Sequence, residues 1–274
     1  MPESELTVYV VSHTHWDREW YQPSGRFRQR LVSLIDEVLD DPPASGDSFL
    51  LDGQAVVLED YLAVRPERHG ELAARLREGV IEAGPWYVSA DELIPSGEAL
   101  VRNLLVGRGV LAQLGATAPA VLYSPDAFGH PAALPSLARG FGCAVIILWR
   151  GYGGPAWPPG DTVRWRAPDG AESLLYHLPP DGYEAGSSLP ADVDAARERW
   201  RRLGDALGGR SAVGVVLLPN GADHHARQRE RSRALAVLAA IAQPARIEAR
   251  SLGAFASALQ ERAAGASLPV VAGE

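Results

Sequence analysis

The stretch His13-Thr14-His15-Trp16-Asp17-Arg18-Glu19-Trp20 places ligand-type side chains at alternate positions directly after an apolar run. That run, Leu6-Thr7-Val8-Tyr9-Val10-Val11-Ser12, is rich in β-branched and aromatic residues and predicts a short interior strand. In an extended chain, side chains at i, i+2 and i+4 point the same way. His13, His15 and Asp17 are therefore expected to share one face at the strand's carboxyl end. Imidazole plus carboxylate on one face is a zinc half-site. A lone histidine there more often bonds loop backbone, but three groups in register, with Trp16 and Trp20 interleaved, reverse that balance.

Outward from this stretch, strand-like and helix-like runs alternate. Phe27, Leu31, Leu34, Ile35, Val38 and Leu39 recur at helical spacing until Pro42-Pro43. Residues 48–51 predict a second strand, 66–80 a helix, and 81–87 a third strand broken by Gly84-Pro85. Then come a helix over 98–114, a strand over 120–123, a helix over 132–139 and a strand over 144–149. The proline-rich region 151–183 holds one hairpin, 163–165 against 174–176, turning at Pro168-Asp169-Gly170, and is expected to form an insertion over the mouth of the site. A helix over 190–207, a strand over 212–218, a helix through Leu238, a strand over 245–249 and a helix capped by Ser251 complete the chain. This alternation predicts an α/β domain with a mainly parallel sheet.

The composition sets limits. With 274 residues and 46% apolar content the chain is long enough for one large domain with a substantial core. A net charge of -8 without a basic stripe argues against nucleic acid as a partner. No apolar run reaches membrane-spanning length and no leader-type segment opens the chain, so a soluble, cytoplasmic protein is expected. Cys143, the one cysteine, has no internal partner and reads as a buried structural thiol. Lysine is absent altogether, which excludes Schiff-base chemistry.

Polar groups just past the carboxyl ends of parallel strands converge on one mouth. His15 and Asp17 follow the first strand, Asp91 and Glu92 the third, Asp126 the fourth and Arg150 the fifth; Asn220 and Asp223 follow the strand that ends at Leu218. Two carboxylates are candidates for chemistry. Asp126, in Ser124-Pro125-Asp126-Ala127-Phe128-Gly129-His130, reads either as a helix cap or as a carboxylate that joins the metal and attacks carbon. Asp223, in Asn220-Gly221-Ala222-Asp223-His224-His225, reads either as turn chemistry or as a proton donor. Two carboxyls facing each other across an aromatic pocket are the pattern of glycoside hydrolysis.

With these residues in place, the chain resembles the N-terminal catalytic domain of the glycoside hydrolase family 38 α-mannosidases, in the bacterial branch that includes mannosylglycerate hydrolases. The matching segments are His13 to Trp20, Gly84-Pro85-Trp86-Tyr87 with Asp91-Glu92, Pro125 to His130, Trp149-Arg150-Gly151, and Asn220 to His224. They occur in the family's order and span nearly the whole chain. The resemblance implies a seven-stranded β/α barrel of the glycoside hydrolase/deacetylase type that holds one Zn2+ and retains anomeric configuration through a covalent mannosyl-enzyme. It implies His15, Asp17 and Asp126 as metal ligands, Asp126 also as nucleophile, and Asp223 as general acid/base. Trp20 and Phe128 match aromatic residues of the mannose subsite, Arg150 a basic residue beside the nucleophile, and Asp91 a substrate-binding carboxylate. Tyr183 aligns with a substrate-binding tyrosine only across a gap. The expected partners are mannosides or mannose-containing oligosaccharides, mannosylglycerate among them, with no nucleic acid and no membrane; a homo-oligomer is left open.

The resemblance also carries a departure. Family members have a fourth zinc ligand, a histidine, on a helical domain after the barrel, and then β-rich domains. The expectation is therefore one zinc-dependent catalytic barrel over 1–274, with the following domains absent from this chain, which would make it a fragment or a weakly active product. His130, His177, His224 and His225 are the candidates to replace that histidine, each more plausible as a structural residue. Two other readings stay open: a zinc-dependent carbohydrate deacetylase-like hydrolase, and an inactive sugar-binding remnant.

Overall fold

The computed structural model describes residues 6–153 and 157–274. In chain order the elements are β1 (Thr7–His13), α1 (Ser24–Asp40), β2 (Phe49–Leu50), α2 (Val56–Leu62), α3 (His69–Arg77), β3 (Ile81–Glu82), α4 (Gly97–Gln113), β4 (Val121–Ser124), α5 (Leu134–Gly140), β5 (Val145–Leu148), β6 (Thr162–Arg166), β7 (Glu172–His177), α6 (Val193–Gly208), β8 (Val215–Asn220), α7 (Arg231–Ile241), β9 (Arg246–Ala249), α8 (Leu252–Ala263) and β10 (Val270–Ala272). Among the described residues, no helix is long and apolar enough to cross a membrane.

β1 is the hub of the first sheet. It pairs in parallel with β8 along Thr7–Ser12, with β9 along Thr7–Val10, and with β2 at Ser12 and His13, while β3 lies beyond β2. Val8, Val10 and Val11 are all buried, so both faces of β1 are covered, as the continuous apolar run requires. The second sheet runs β10-β6-β7-β5-β4, parallel except between β6 and β7. The inner faces of the two sheets share one core, in which Val11, Leu50, Tyr123, Ile147, Tyr176 and Leu217 meet Phe255 and Leu259 of α8. Truncating a fully buried ring such as Phe255 to Ala would cost about 3–5 kcal/mol.

The expected α/β fold with mainly parallel sheets is present, but a closed seven-stranded barrel is not seen among the described residues. Among the described residues the ladder is two five-stranded sheets, with no strand pairing from β3 to β4 or from β7 to β8. Two local causes are visible. β3 is two residues long and is soon followed by Gly84-Pro85, where proline has no N–H for a ladder. At the other seam the Leu217 N–H of β8 donates to the Tyr176 hydroxyl at 2.9 Å, so a side chain stands where a β7 carbonyl would be. Buried Asp161 reinforces this seam: its Oδ1 accepts the Ala212 N–H at 3.0 Å.

Three further expectations change. The hairpin β6–β7 is not an insertion over the mouth, because β7 pairs in parallel with β5 inside the second sheet. Residues 81–87 are strand only at Ile81–Glu82. α2 was not expected, because Val56, Val57, Leu58 and Tyr61 are buried all round and leave no amphipathic period to read. Several helix starts follow their sequence signals: the side chains of Ser96, Asp192 and Ser251 accept backbone N–H groups in the first turns of α4, α6 and α8. Cys143 is buried, as expected.

Candidate active site

The chain leaving β1 stays paired with the chain leaving β8. His15 N–H donates to the Ala222 carbonyl at 3.4 Å, and His224 N–H donates to the His15 carbonyl at 2.9 Å. Asp223 thus sits beside His15 in a parallel bridge, at about the 4.8 Å spacing of neighbouring strands.

The His15 imidazole is buried and faces three carboxylates. Its Nδ1 lies 3.0 Å from Asp52 Oδ2, and its Nε2 lies 3.8 Å from Asp17 Oδ1 and 3.6 Å from Asp126 Oδ2. Burial works against a charged ring, but Asp52, by charge and hydrogen bond, and then Asp17 and Asp126 outweigh it and push the His15 pKa up to about 9. Asp52 responds in kind: burial opposes its charge, yet the ring beside it and the N–H groups of Gly53 and Trp16 hold its pKa below the usual carboxylate range.

Asp126 follows β4, and α5 begins only at Leu134, so the helix-cap reading falls. Its Oδ1 pairs with Arg150 Nη1 at 2.9 Å, and its Oδ2 accepts the Tyr183 hydroxyl at 3.1 Å. Burial raises the Asp126 pKa, against the pull of His15, Arg150 and Tyr183. Burial raises the Tyr183 phenol, and the charges of Asp126 and Asp223 raise it further. Asp223 keeps one buried oxygen, Oδ1, without a hydrogen-bond partner.

His15, Asp17 and Asp126 open onto a pocket of about 190 Å³ that Asp91 and Phe128 also line, while Asp223, Tyr183 and Arg150 lie outside that lining. Asp91 Oδ1 accepts the Phe128 N–H at 3.1 Å and so props the loop that carries the ring. The Arg150 guanidinium lies 5.2 Å from the Phe128 ring centre and 4.5 Å from that of Trp149. Gly151 explains how Arg150 gets there. Its φ is +67°, and a Cβ would stand 2.6 Å from the Gly129 nitrogen, so only glycine lets the end of β5 lie against the Phe128-Gly129 backbone. Trp20 stands apart from this lining: it is 67% exposed and packs edge-on against Tyr21.

The histidines divide cleanly. His13 does not join the cluster, because its Nε2 lies 2.6 Å from the Tyr183 carbonyl and burial lowers its pKa. His224 Nε2 accepts the Asp17 N–H at 3.0 Å inside a cage of Trp16, Tyr21 and Phe27, so it fixes Asp17. His130 bonds Glu92 at 2.7 Å and the Arg150 carbonyl at 3.0 Å, supporting Arg150 from behind. His177 stacks on Tyr152, and burial with the nearby Arg210 pushes its pKa down to about 4. Sequence reasoning missed Asp52, although the rule that found Asp126 covers it: Leu50-Leu51-Asp52 is a carboxylate just past a strand.

Among the described residues no group of three or more His, Cys, Asp or Glu stands close enough together to hold a metal ion. The donor set nonetheless suits zinc: one imidazole nitrogen with two carboxylates about it, and a further carboxylate on the other ring nitrogen.

Comparison with known proteins gives the family. The profile of the glycosyl hydrolases family 38 N-terminal domain matches residues 5–274. A protein of Halalkalibacterium halodurans, provisionally named a mannosylglycerate hydrolase, is 34% identical over 246 residues, covering 84% of this chain and 27% of its own. The crystal structure of an α-mannosidase from Enterococcus faecalis V583 superposes with a TM-score of 0.89 at 29% identity, over 98% of this chain and 31% of that one. A 4-α-glucanotransferase from Thermococcus litoralis shares the fold alone, with a TM-score of 0.62 at 12% identity, over 92% of this chain and 40% of that one. The chain therefore spans less than a third of the length of the two mannosidase-type relatives. The fold, the strand-end carboxylates and the matched profile together establish that this chain belongs to glycosyl hydrolase family 38, as its N-terminal domain.

Proposed function

We propose that this domain carries the catalytic centre of a zinc-dependent, retaining α-mannosidase acting on mannosides or mannose-containing oligosaccharides, mannosylglycerate among them. The observation that carries the proposal is that the Tyr183 hydroxyl donates to Asp126 and feels the charge of Asp223, which the β-bridge sets beside His15. A hydroxyl bonded to one carboxyl and close to the other leaves their nearest oxygens no more than about 6 Å apart. That favours the roughly 5–5.5 Å of retaining enzymes over the roughly 6.5–9.5 Å that inversion needs to fit a water between them.

His15, Asp17 and Asp126 would hold the zinc, which supplies Lewis acidity toward sugar hydroxyls when bound. Arg150, paired with Asp126 Oδ1, keeps that carboxylate charged and aimed into the pocket. Asp126 attacks the anomeric carbon as Asp223 gives its proton to the leaving oxygen, and an ester to Asp126 forms. Asp223 then takes a proton from water as that water attacks the same carbon, which frees Asp126 with the starting configuration. The exposed Phe128 ring offers an apolar face to the sugar. A pocket of about 190 Å³ is smaller than the roughly 300–1,000 Å³ of drug-sized sites, which fits one sugar ring. A cytoplasmic setting belongs to the same proposal.

The test is proton NMR of p-nitrophenyl α-mannoside turning over with zinc present. α-Mannose is expected as the first sugar formed; β-mannose first, or hydrolysis of an acetylated sugar in place of the mannoside, would overturn the proposal.

A further inference from the structure

Asp52 takes no step in the reaction above, yet its surroundings are the most constrained in the site. Its carboxyl is wholly buried, on a residue with φ +66°. Oδ1 accepts the Gly53 N–H at 2.7 Å, and Oδ2 accepts the Trp16 N–H at 3.1 Å and a Gln54 side-chain N–H at 2.9 Å. The same Oδ2 lies 3.0 Å from His15 Nδ1. A buried charge on strained backbone persists only where its neighbours over-determine it, and packing alone would be served as well by an apolar side chain. Gln54 extends the grip: its Nε2 also donates to the Trp16 carbonyl at 2.6 Å, and its Oε1 accepts the Ser89 N–H at 3.2 Å. The turn Asp52-Gly53-Gln54 thus holds the chain between His15 and Asp17 and also the Ser89 wall of the pocket.

We infer that Asp52 is the positioning residue of the cation site, a reading that rests on His15, Asp17 and Asp126 holding zinc. A neutral imidazole carries one proton; with Asp52 Oδ2 3.0 Å from Nδ1 that proton is held there, so Nε2 presents its lone pair to the space shared with Asp17 and Asp126. Asp52 also holds the ring plane at the angle that this requires.

The test measures zinc affinity of the full chain by competition with a chromogenic chelator, for the wild type, Asp52→Asn, and Asp161→Asn as a buried carboxylate outside the site. Asp52→Asn is expected to keep its circular dichroism spectrum and bind zinc about 10–100-fold more weakly, with Asp161→Asn unchanged. Equal affinity in Asp52→Asn and wild type would overturn the inference. Nitrogen NMR of the metal-free wild type, taken above about pH 10 so that a ring with its pKa near 9 is neutral, gives a second readout that does not depend on the variant folding. A neutral His15 protonated on Nδ1 supports the inference, and one protonated on Nε2 refutes it. A wild type that takes up no zinc would sink the functional proposal instead, while the NMR readout still tests Asp52.

Discussion

His15 and Phe128 line the same pocket, yet one is fastened and the other is not. The His15 side chain is 5% exposed and faced by carboxylates at both ring nitrogens, Asp52 at Nδ1 and Asp17 and Asp126 at Nε2. Phe128 is 66% exposed, and its ring meets the Arg150 guanidinium at 5.2 Å. The inner wall is therefore preorganised for charge, which an electrostatic transition state demands, while the outer rim is apolar and free to meet ligands of different shape. Chemistry should depend on the inner wall and recognition on the rim.

Substitutions can break that division. The largest effect is expected from Asp126→Asn, with turnover falling by about 10⁴-fold or more while the melting temperature stays within a few degrees, because burial already disfavours this charge. Steady-state assays paired with thermal melts check both halves. Asp223→Asn should cost about 10²–10⁴-fold in turnover on a poor leaving group and much less on p-nitrophenol, which needs no proton. A uniform loss across leaving groups would remove Asp223 from the acid role. Phe128→Ala should raise KM by about 3–30-fold with kcat nearly unchanged, the share of a sugar–ring and guanidinium–ring contact worth about 1–2 kcal/mol. A collapse of kcat in that variant would mean that the rim is catalytic after all.

The smallest effect lies outside the pocket and sharpens the contrast between carboxylates. Asp52 is lowered by the His15 charge beside it, whereas Asp161, buried at the seam of the two sheets, is raised by burial to about 6. The folded state then binds the Asp161 proton more tightly than the unfolded chain does. Its contribution is full below about pH 4 and is lost as pH rises through about 6, a change of roughly 1–3 kcal/mol. Asp161→Asn should flatten this part of the stability–pH profile in denaturant titrations between pH 4 and 7.5. An unchanged slope would show that Asp161 titrates normally.

Much of the site was legible because strand ends are local. The alternation in His15-Trp16-Asp17, and turns following apolar runs at Asp126 and Asp223, need no knowledge of distant contacts, and the structure brings those residues to one place. Asp52 also follows a predicted strand, but nothing local marks it as a partner of His15, 37 positions away in sequence. Tyr183 lies on a single 3₁₀ turn after a proline-rich region, where no periodic signal exists. His13 has the right spacing, but its ring is claimed by the Tyr183 carbonyl, a long-range partner that no pattern reveals. At the level of fold, the alternation of strands and helices was readable. Whether the ladder closes was not, because that depends on a tyrosine hydroxyl replacing a backbone acceptor at one seam and on Gly84-Pro85 at the other.

The central claim is that His15, Asp17 and Asp126 close around a single cation. Zinc titration of the metal-free chain by isothermal calorimetry, alongside His15→Ala, tests it most directly. One zinc per chain, with affinity at least about 100-fold weaker in His15→Ala, is the predicted result; no uptake by the wild type, or equal uptake by both proteins, would contradict it.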